Sequence, residues 1–276
     1  MKISTATSVY VNFSIEVTIQ HVAKAGFDGI DIWGGRPHIY RHDYSPQQLK
    51  VLRTMIEDHG LGVPSLMPAF FRYPHSLTSP NEVVRQDSLE YMRQCIDNAL
   101  ELGAQTVLIV PGRRLSEQSM EDAWARLVDS VSQICQYAEQ SHSRLAVEPV
   151  NRYVSDLVNT ASDARKIIEA VEYPDLGMVL DSGHINLSHE SPQEAVDLAG
   201  DRLYQVHVND NNGRQQQNLA LGEGTFDFES FFQYLAKVDY RGFLTAELGW
   251  EYTLDPDPVV GDTANRLHQL IRQAET

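Results

Sequence analysis

Short apolar runs rich in β-branched residues alternate with helical segments from one end of the chain to the other. Few folds are compatible with this pattern. The runs do not alternate apolar with polar residues, so they are typical of parallel strands that are covered on both faces. Eight runs are predicted as strands: Ile3–Thr7, Gly29–Trp33, Leu61–Met67, Thr106–Val110, Leu145–Val147, Met178–Leu180, Leu203–Val208 and Phe243–Ala246.

The segments between these runs carry the start and stop signals of helices. Ser45 and Pro46 form an N-cap followed by a proline in the first turn, and Gly60 marks the end of that helix. Ser79-Pro80 predicts the start of a longer helix that ends near Gly103. Further helices are predicted by Thr160 with Asp163, by Ser191-Pro192, and by the apolar stripe Phe228, Phe231, Phe232 and Leu235.

Eight strands that alternate with about eight helices predict a single (β/α)8 TIM barrel of the α/β class, which occupies residues 1–276. No linker rich in Ser and Gly divides the chain, and its length suits one large barrel of about 250 residues. An open, doubly wound sheet is the alternative fold. It is disfavoured because residues 8–12, which follow the first strand, lack the G-x-G-x-x-G turn of dinucleotide-binding proteins.

The composition excludes several classes of function. The chain has 22 Lys and Arg against 38 Asp and Glu, a formal net charge of −16, so it lacks the basic surface that binds nucleic acid. No run approaches the roughly 20 apolar residues of a membrane span. Cys95 and Cys135 are too few for a disulfide framework, and the N-terminus has no secretory signal, so we expect a cytoplasmic protein without nucleic-acid or membrane partners.

Polar side chains stand at the carboxyl ends of four successive predicted strands, three of them just after a strand and His207 within the seventh: Glu148, Asp181, His207 and Glu247. Active sites of parallel barrels are built at the carboxyl ends of the strands, so these side chains should meet at one mouth. Three carboxylates and one imidazole favour Mn²⁺, Mg²⁺ or Co²⁺ over a structural zinc ion. Taken singly, each residue is also compatible with a hydrogen-bonded buried acid or a core histidine. Four of them in register favour a divalent metal site.

Two strings around these residues resemble motifs of a known family. Residues 148–152, EPVNR, and residues 180–186, LDSGHIN, resemble the E-P-x-N-R and L-D-x-x-H-x-N motifs of the xylose-isomerase-like sugar isomerases and epimerases, particularly the ketose 3-epimerase branch. Residues 28–38, DGIDIWGGRPH, are similar to the corresponding stretch of the fructoselysine 3-epimerases. The resemblance extends over the whole chain.

The resemblance implies a catalytic metal, with Mn²⁺ as the first choice, held by Glu148, Asp181, His207 and Glu247. It also implies that the two glutamates act as acid and base, and that His184 and an arginine contact substrate oxygens.

Three further residues complete the predicted substrate contacts. Arg214 is the candidate arginine, although the loop that carries it is longer than in the ketose epimerases. Asn151 belongs to the first motif. Trp33 lies at a strand end, as do Phe70, Phe71 and Trp250, and such aromatics either wall a sugar pocket or pack the loops.

These features predict a metal-dependent sugar epimerase or isomerase, with 3-epimerisation of a ketose or ketose derivative through a metal-stabilised cis-enediolate as the first choice. A lyase or dehydratase that acts on a keto-sugar or keto-cyclitol is an alternative, because the same enediolate can expel a β-hydroxyl group. A sugar-binding barrel without enzymatic activity is the second alternative. Cleavage of abasic DNA is disfavoured by the negative charge. We expect a homo-oligomer, a dimer or a tetramer.

Overall fold

Eight parallel strands close into a barrel in the computed structural model, which describes residues 1–70 and 74–275. Each strand pairs with its neighbours in chain order, and β8 closes the barrel against β1. The predicted (β/α)8 TIM barrel is therefore confirmed. The strands are β1 Lys2–Ala6, β2 Gly29–Trp33, β3 Ser65–Met67, β4 Thr106–Ile109, β5 Arg144–Val147, β6 Leu176–Asp181, β7 Leu203–Val208 and β8 Phe243–Ala246.

Nine α-helices lie in the described residues, one more than the approximate number that the sequence predicts. The additional helix is the short α6, which follows β6 directly. None of the helices described is long and apolar enough to cross a lipid bilayer. The helices are α1 Ile15–Lys24, α2 Pro46–Asp58, α3 Glu82–Leu102, α4 Met120–Glu139, α5 Ala161–Val171, α6 Ser182–Ser188, α7 Pro192–Ala199, α8 Phe228–Lys237 and α9 Pro256–Ala274.

The strands contribute to two separate apolar cores. Strand residues such as Ile30 and Ile32 pack in one large core with helix residues such as Leu52. A second, smaller cluster is formed by strand residues of the opposite face: Ala6, Met67, Leu108, Ala146 and Val179. Because successive side chains of a strand point to opposite sides, the first core lies under the helices and the second fills part of the barrel interior.

Several predicted boundaries shift by one to four residues, and two of the differences have a clear local cause. Strand β3 begins at Ser65 rather than Leu61, directly after Pro64, which has no N–H to offer to a neighbouring strand. Helix α3 begins at Glu82, and its N-cap is Asn81 rather than Ser79. The side chain of Asn81 accepts a hydrogen bond from the backbone N–H of Val83 at 3.0 Å. Several residues in this stretch suit a cap, and sequence alone did not distinguish them. The predicted start of α2 at Ser45 is confirmed by a full capping box.

The corrected start of α3 leads to a stability prediction. Asn81→Ala should lower the free energy of unfolding by about 1 kcal/mol, because it leaves a helix N–H without its cap. Ser79→Ala removes only an exposed 3.2 Å contact to the backbone of Asn81, and should cost less than about 0.5 kcal/mol. Urea unfolding of the two variants and the parent measures both values. A larger loss in the Ser79 variant would contradict the assigned cap.

Candidate active site

The four polar residues predicted at the strand ends come together at the carboxyl end of the barrel. Asp181 is the last residue of β6 and lies in register with His207 on β7. Glu148 and Glu247 continue β5 and β8 by one residue, since their backbone N–H groups bond to the neighbouring strands at 3.1 Å. One ligand atom from each of the four side chains lies within 4.8 Å of all the others.

His207 lies at the centre of this cluster and is fully buried. Its Nδ1 atom is 2.9 Å from Oε1 of Glu148 and 3.4 Å from Oε2 of Glu247. Its other ring nitrogen, Nε2, is also buried and has no hydrogen-bond partner among the described residues. The imidazole therefore presents Nδ1 to the carboxylates.

Asp181 is held by two donors that the sequence analysis did not identify. Its Oδ1 atom caps helix α6 by accepting the backbone N–H of His184 at 2.7 Å, and its Oδ2 atom accepts the side-chain amide of Asn209 at 2.6 Å. The close approach of Asn209 requires Gly183, because a Cβ atom there would lie 2.0 Å from Oδ1 of Asn209. An aspartate at the end of a strand is a favourable N-cap for a helix that follows directly, and this signal could have predicted α6.

The electrostatics of the cluster reflect three crowded acids with one base. Burial raises the pKa of Asp181 to about 6, and the nearby Glu247 and Glu148 add to the rise. Burial by itself would lower the pKa of His207, but the charges and hydrogen bonds of Glu148 and Glu247 outweigh it and raise this pKa well above the ordinary value. The same contacts with His207 lower the pKa of Glu247, although burial opposes this. Without a cation, the imidazole is the base that compensates the acids.

This donor set fits a divalent metal. Carboxylate oxygens and one imidazole suit Mn²⁺, Mg²⁺ or Co²⁺, which prefer oxygen and nitrogen ligands over thiolates. Three carboxylates in a cluster that is buried except for part of Glu247 need positive charge beyond what one imidazole supplies. The residues that would hold the ion are the four predicted ones: Glu148, Asp181, His207 and Glu247.

A cavity of about 350 Å³ opens above the cluster. Among the described residues, Glu148 and Glu247 reach its wall, whereas Asp181 and His207 are buried beneath it. Much of the remaining wall is apolar: Trp33, Met67, Pro68, Phe70, Leu108, Val110, Val150, Val154, Leu248 and Trp250. A mostly apolar wall with a few convergent polar groups is typical of sites for small molecules.

Three of the predicted substrate-binding residues lie at or next to the cavity. His184 lines it, and its Nδ1 atom is 3.0 Å from the side-chain amide nitrogen of Asn151. Asn151 is itself buried outside the wall, so it orients His184. Trp33 lines the cavity and packs edge-on against Trp250, with ring centroids 6.1 Å apart. Phe70 is also part of the wall, whereas Phe71 lies outside the described residues.

The structure does not bring Arg214 to the cavity. Its side chain is exposed, and its backbone oxygen accepts a hydrogen bond from the hydroxyl of Tyr153 at 2.9 Å. The residues that follow it in the long loop, residues 216–218, line the cavity with two glutamines and an asparagine. Glu251, after β8, also lines it. These residues were not predicted from the sequence, although the run of amides after Arg214 is visible there.

Comparison with known proteins assigns the family. Residues 19–270 match the family model described as the xylose isomerase-like TIM barrel. The chain belongs to this family. A relative of the same extent, the fructoselysine 3-epimerase of Shigella flexneri, is 26% identical over 275 residues and covers 100% of both chains. The L-ribulose 3-epimerase of Methylomonas sp. strain DH-1 is 27% identical over 244 residues, which are 86% of this chain and 79% of the relative.

Solved structures agree with the family fold. A D-psicose 3-epimerase structure determined in the presence of D-fructose superposes with a TM-score of 0.83, with 20% identity and 100% of both chains covered. At this identity the likeness concerns the fold. Both relatives named above are sugar epimerases, which confirms the prediction of an enzyme of the isomerase class.

The four-residue cluster leads to a prediction about metal content. Protein purified without chelator should carry close to one divalent ion per chain by elemental analysis. Removal of the ion with EDTA should lower the melting temperature, because a ligand that binds only the native state stabilises it by about 2.7 kcal/mol at a hundredfold excess over Kd. The Asp181→Asn variant should bind the ion more weakly, so EDTA should lower its melting temperature by less than that of the parent. An ion-free protein whose melting temperature changes with neither EDTA nor added Mn²⁺ would contradict the metal site.

Proposed function

We propose that this protein is a divalent-metal-dependent sugar epimerase, and that it inverts C3 of a ketose or ketose derivative. The observation that carries the proposal is the difference in depth among the four clustered residues. Glu148 and Glu247 reach the cavity, whereas Asp181 and His207 lie beneath it. Two carboxylates thus face the space where a sugar would bind, and inversion of a carbon by proton transfer needs two such groups.

Each group has a defined task in this proposal. A divalent cation, when bound, polarises the carbonyl of a ketose and acidifies the neighbouring C–H bond. One of the two glutamates, Glu148 or Glu247, removes the proton from C3, and the other delivers a proton to the opposite face. His184 donates a hydrogen bond to a substrate oxygen, and Asn151 orients its ring through the 3.0 Å contact. Trp33 and Trp250 cover the apolar side of the sugar.

Other parts of the proposal rest on the sequence. Mn²⁺ is the first choice of metal, with Mg²⁺ or Co²⁺ as alternatives. Residues 1–276 form one domain, the protein is cytoplasmic, and it assembles as a dimer or tetramer. Arg214 would contact a substrate only if the loop that carries it moved, because its side chain points to solvent.

The fate of the C3 proton tests the proposed reaction. A ketose substrate incubated in D₂O with the metal-loaded protein should gain deuterium at C3, because a carboxylate at the cavity exchanges its proton with water between turnovers. NMR and mass spectrometry of the recovered sugar locate the label. Glu148→Gln and Glu247→Gln should each lower the rate by about 10²- to 10⁴-fold at saturating metal. Glu117→Gln is the matched control, since Glu117 is exposed and is not among the residues of the cavity wall.

The same experiment separates the alternatives. Deuterium at C1 would indicate aldose–ketose isomerisation, and an unsaturated product with new ultraviolet absorbance would indicate a lyase. Binding of ketoses without label at any carbon would indicate a sugar-binding barrel. Normal turnover by both glutamine variants would show that two-base catalysis is wrong.

The charge of the cavity predicts a preference for sugars without phosphate. Its described lining includes the carboxylates of Glu148, Glu247 and Glu251 and no Lys or Arg. With a divalent cation bound, the charges of Glu148 and Glu247 are compensated, and Glu251 is the acid that remains. A phosphate group adds a charge of about −1.5 to −2 near it. We expect kcat/KM for a free ketose to exceed that for its 6-phosphate by at least about tenfold, a difference of about 1.4 kcal/mol. Glu251→Gln should lower the ratio of kcat/KM for the free ketose to kcat/KM for its 6-phosphate. Glu117→Gln should leave this ratio unchanged. Faster turnover of the phosphate would contradict the prediction.

A further inference from the structure

A cluster of polar side chains lies inside the barrel, below the candidate metal site. Its members are all buried and come from five different strands: Ser4, Asp31, Ser65, Gln205 and Thr245. Interiors of such barrels are mostly filled by branched apolar side chains, and a buried polar group is costly unless it is hydrogen-bonded. None of the five belongs to the described wall of the cavity. Their role therefore lies in what they do to their neighbours.

Asp31 determines the orientation of the Gln205 side chain. Oδ1 of Asp31 accepts hydrogen bonds from the hydroxyl of Ser65 at 2.6 Å and from Nε2 of Gln205. The Gln205 nitrogen also donates to the hydroxyl of Thr245, which in turn donates to Oδ2 of Asp31 at 3.1 Å. A flipped amide would place its oxygen against the Asp31 carboxylate. With Asp31 ionised, the Gln205 nitrogen therefore faces Asp31, and Oε1 points away from it.

Two buried atoms on β7 remain without partners among the described residues: Oε1 of Gln205 and Nε2 of His207. Residues two apart on a strand point to the same side of the sheet, so these side chains lie one above the other inside the barrel. Oε1 is an acceptor, and Nε2 is a donor whenever it carries the proton. The two atoms are complementary but are not hydrogen-bonded to each other in the structure, so a small movement of either side chain or one bridging buried water would satisfy both.

We propose that Gln205, oriented by Asp31, is a positioning residue that accepts a hydrogen bond from Nε2–H of His207 and so keeps Nδ1 of His207 free to bind the metal. A neutral imidazole carries one proton, and a ring nitrogen that binds a metal must have lost its own. An acceptor at Nε2 holds the proton there. When an ion is bound, Nδ1 gives the ion its lone pair. Without an ion, the 2.9 Å contact with Oε1 of Glu148 requires a proton on Nδ1, which donates to that carboxylate. The inference rests on the proposed metal site and is independent of the proposed sugar chemistry.

The test measures metal affinity and the Nε2 proton, without any sugar. Gln205→Met keeps the side-chain length and removes the acceptor, so it should weaken Mn²⁺ binding by about 10- to 100-fold in calorimetry. Asp31→Asn, whose amide can hold Gln205 in either orientation, should weaken binding less. Gln94→Met is the matched control, because Gln94 is a buried glutamine of α3 with an unpartnered oxygen. It should bind Mn²⁺ as the parent does.

NMR of the Mg²⁺-loaded protein gives a readout that general destabilisation would not reproduce. The Nε2–H proton of His207 should be visible downfield and protected from exchange with water in the parent, and should lose this protection in Gln205→Met. The spectrum of the parent protein tests the proposal by itself, even if a variant fails to fold. An unprotected Nε2–H in the parent, or parent-like Mn²⁺ affinity in folded Gln205→Met, would overturn the role of Gln205 alone. Failure of the parent to bind any divalent ion would overturn the metal site as well.

Discussion

The mutual repulsion of three carboxylates at one end of the barrel governs the structure around them. Glu148, Asp181 and Glu247 project from strands β5, β6 and β8, and closure of the barrel brings their oxygens within a few ångströms of one another. Buried acids at such separations need positive charge or protons, and the raised pKa values of Asp181 and His207 are the response of the protein itself. A divalent cation supplies the same compensation and leaves the carboxylates ionised.

The surroundings of the cluster divide into an enclosed side and a side that is open to the cavity. Asp181 and His207 are enclosed from below, where the start of α6, the amide of Asn209 and the polar interior of the barrel surround them. Glu148 and Glu247 face the cavity, with an apolar wall opposite. Rigid support below and open space above suit the proposed division of roles, in which Asp181 and His207 hold a metal and Glu148 and Glu247 exchange protons with a substrate.

How well the sequence predicted each part depends on the range of the interactions involved. The strands and the capping box of α2 depend on neighbouring residues, and they were predicted within one or two residues at most positions. The start of α3 was wrong, because several polar residues compete for the cap within one turn. Arg214 was chosen from a resemblance, but the direction of a side chain in a long loop depends on contacts with other loops, such as that with Tyr153.

The sequence by itself determined which side chains stand at the ends of the strands and their chemical type, because apolar runs and the polar residues that follow them are local features. The tertiary structure decided how deep each of these side chains lies, which ones reach the cavity, and which buried groups face each other. Gln205 and Asp31 are 174 residues apart in the chain, yet they share a hydrogen bond inside the barrel. Such a contact exists only because β8 closes against β1, which places β2 and β7 on the same side of the interior.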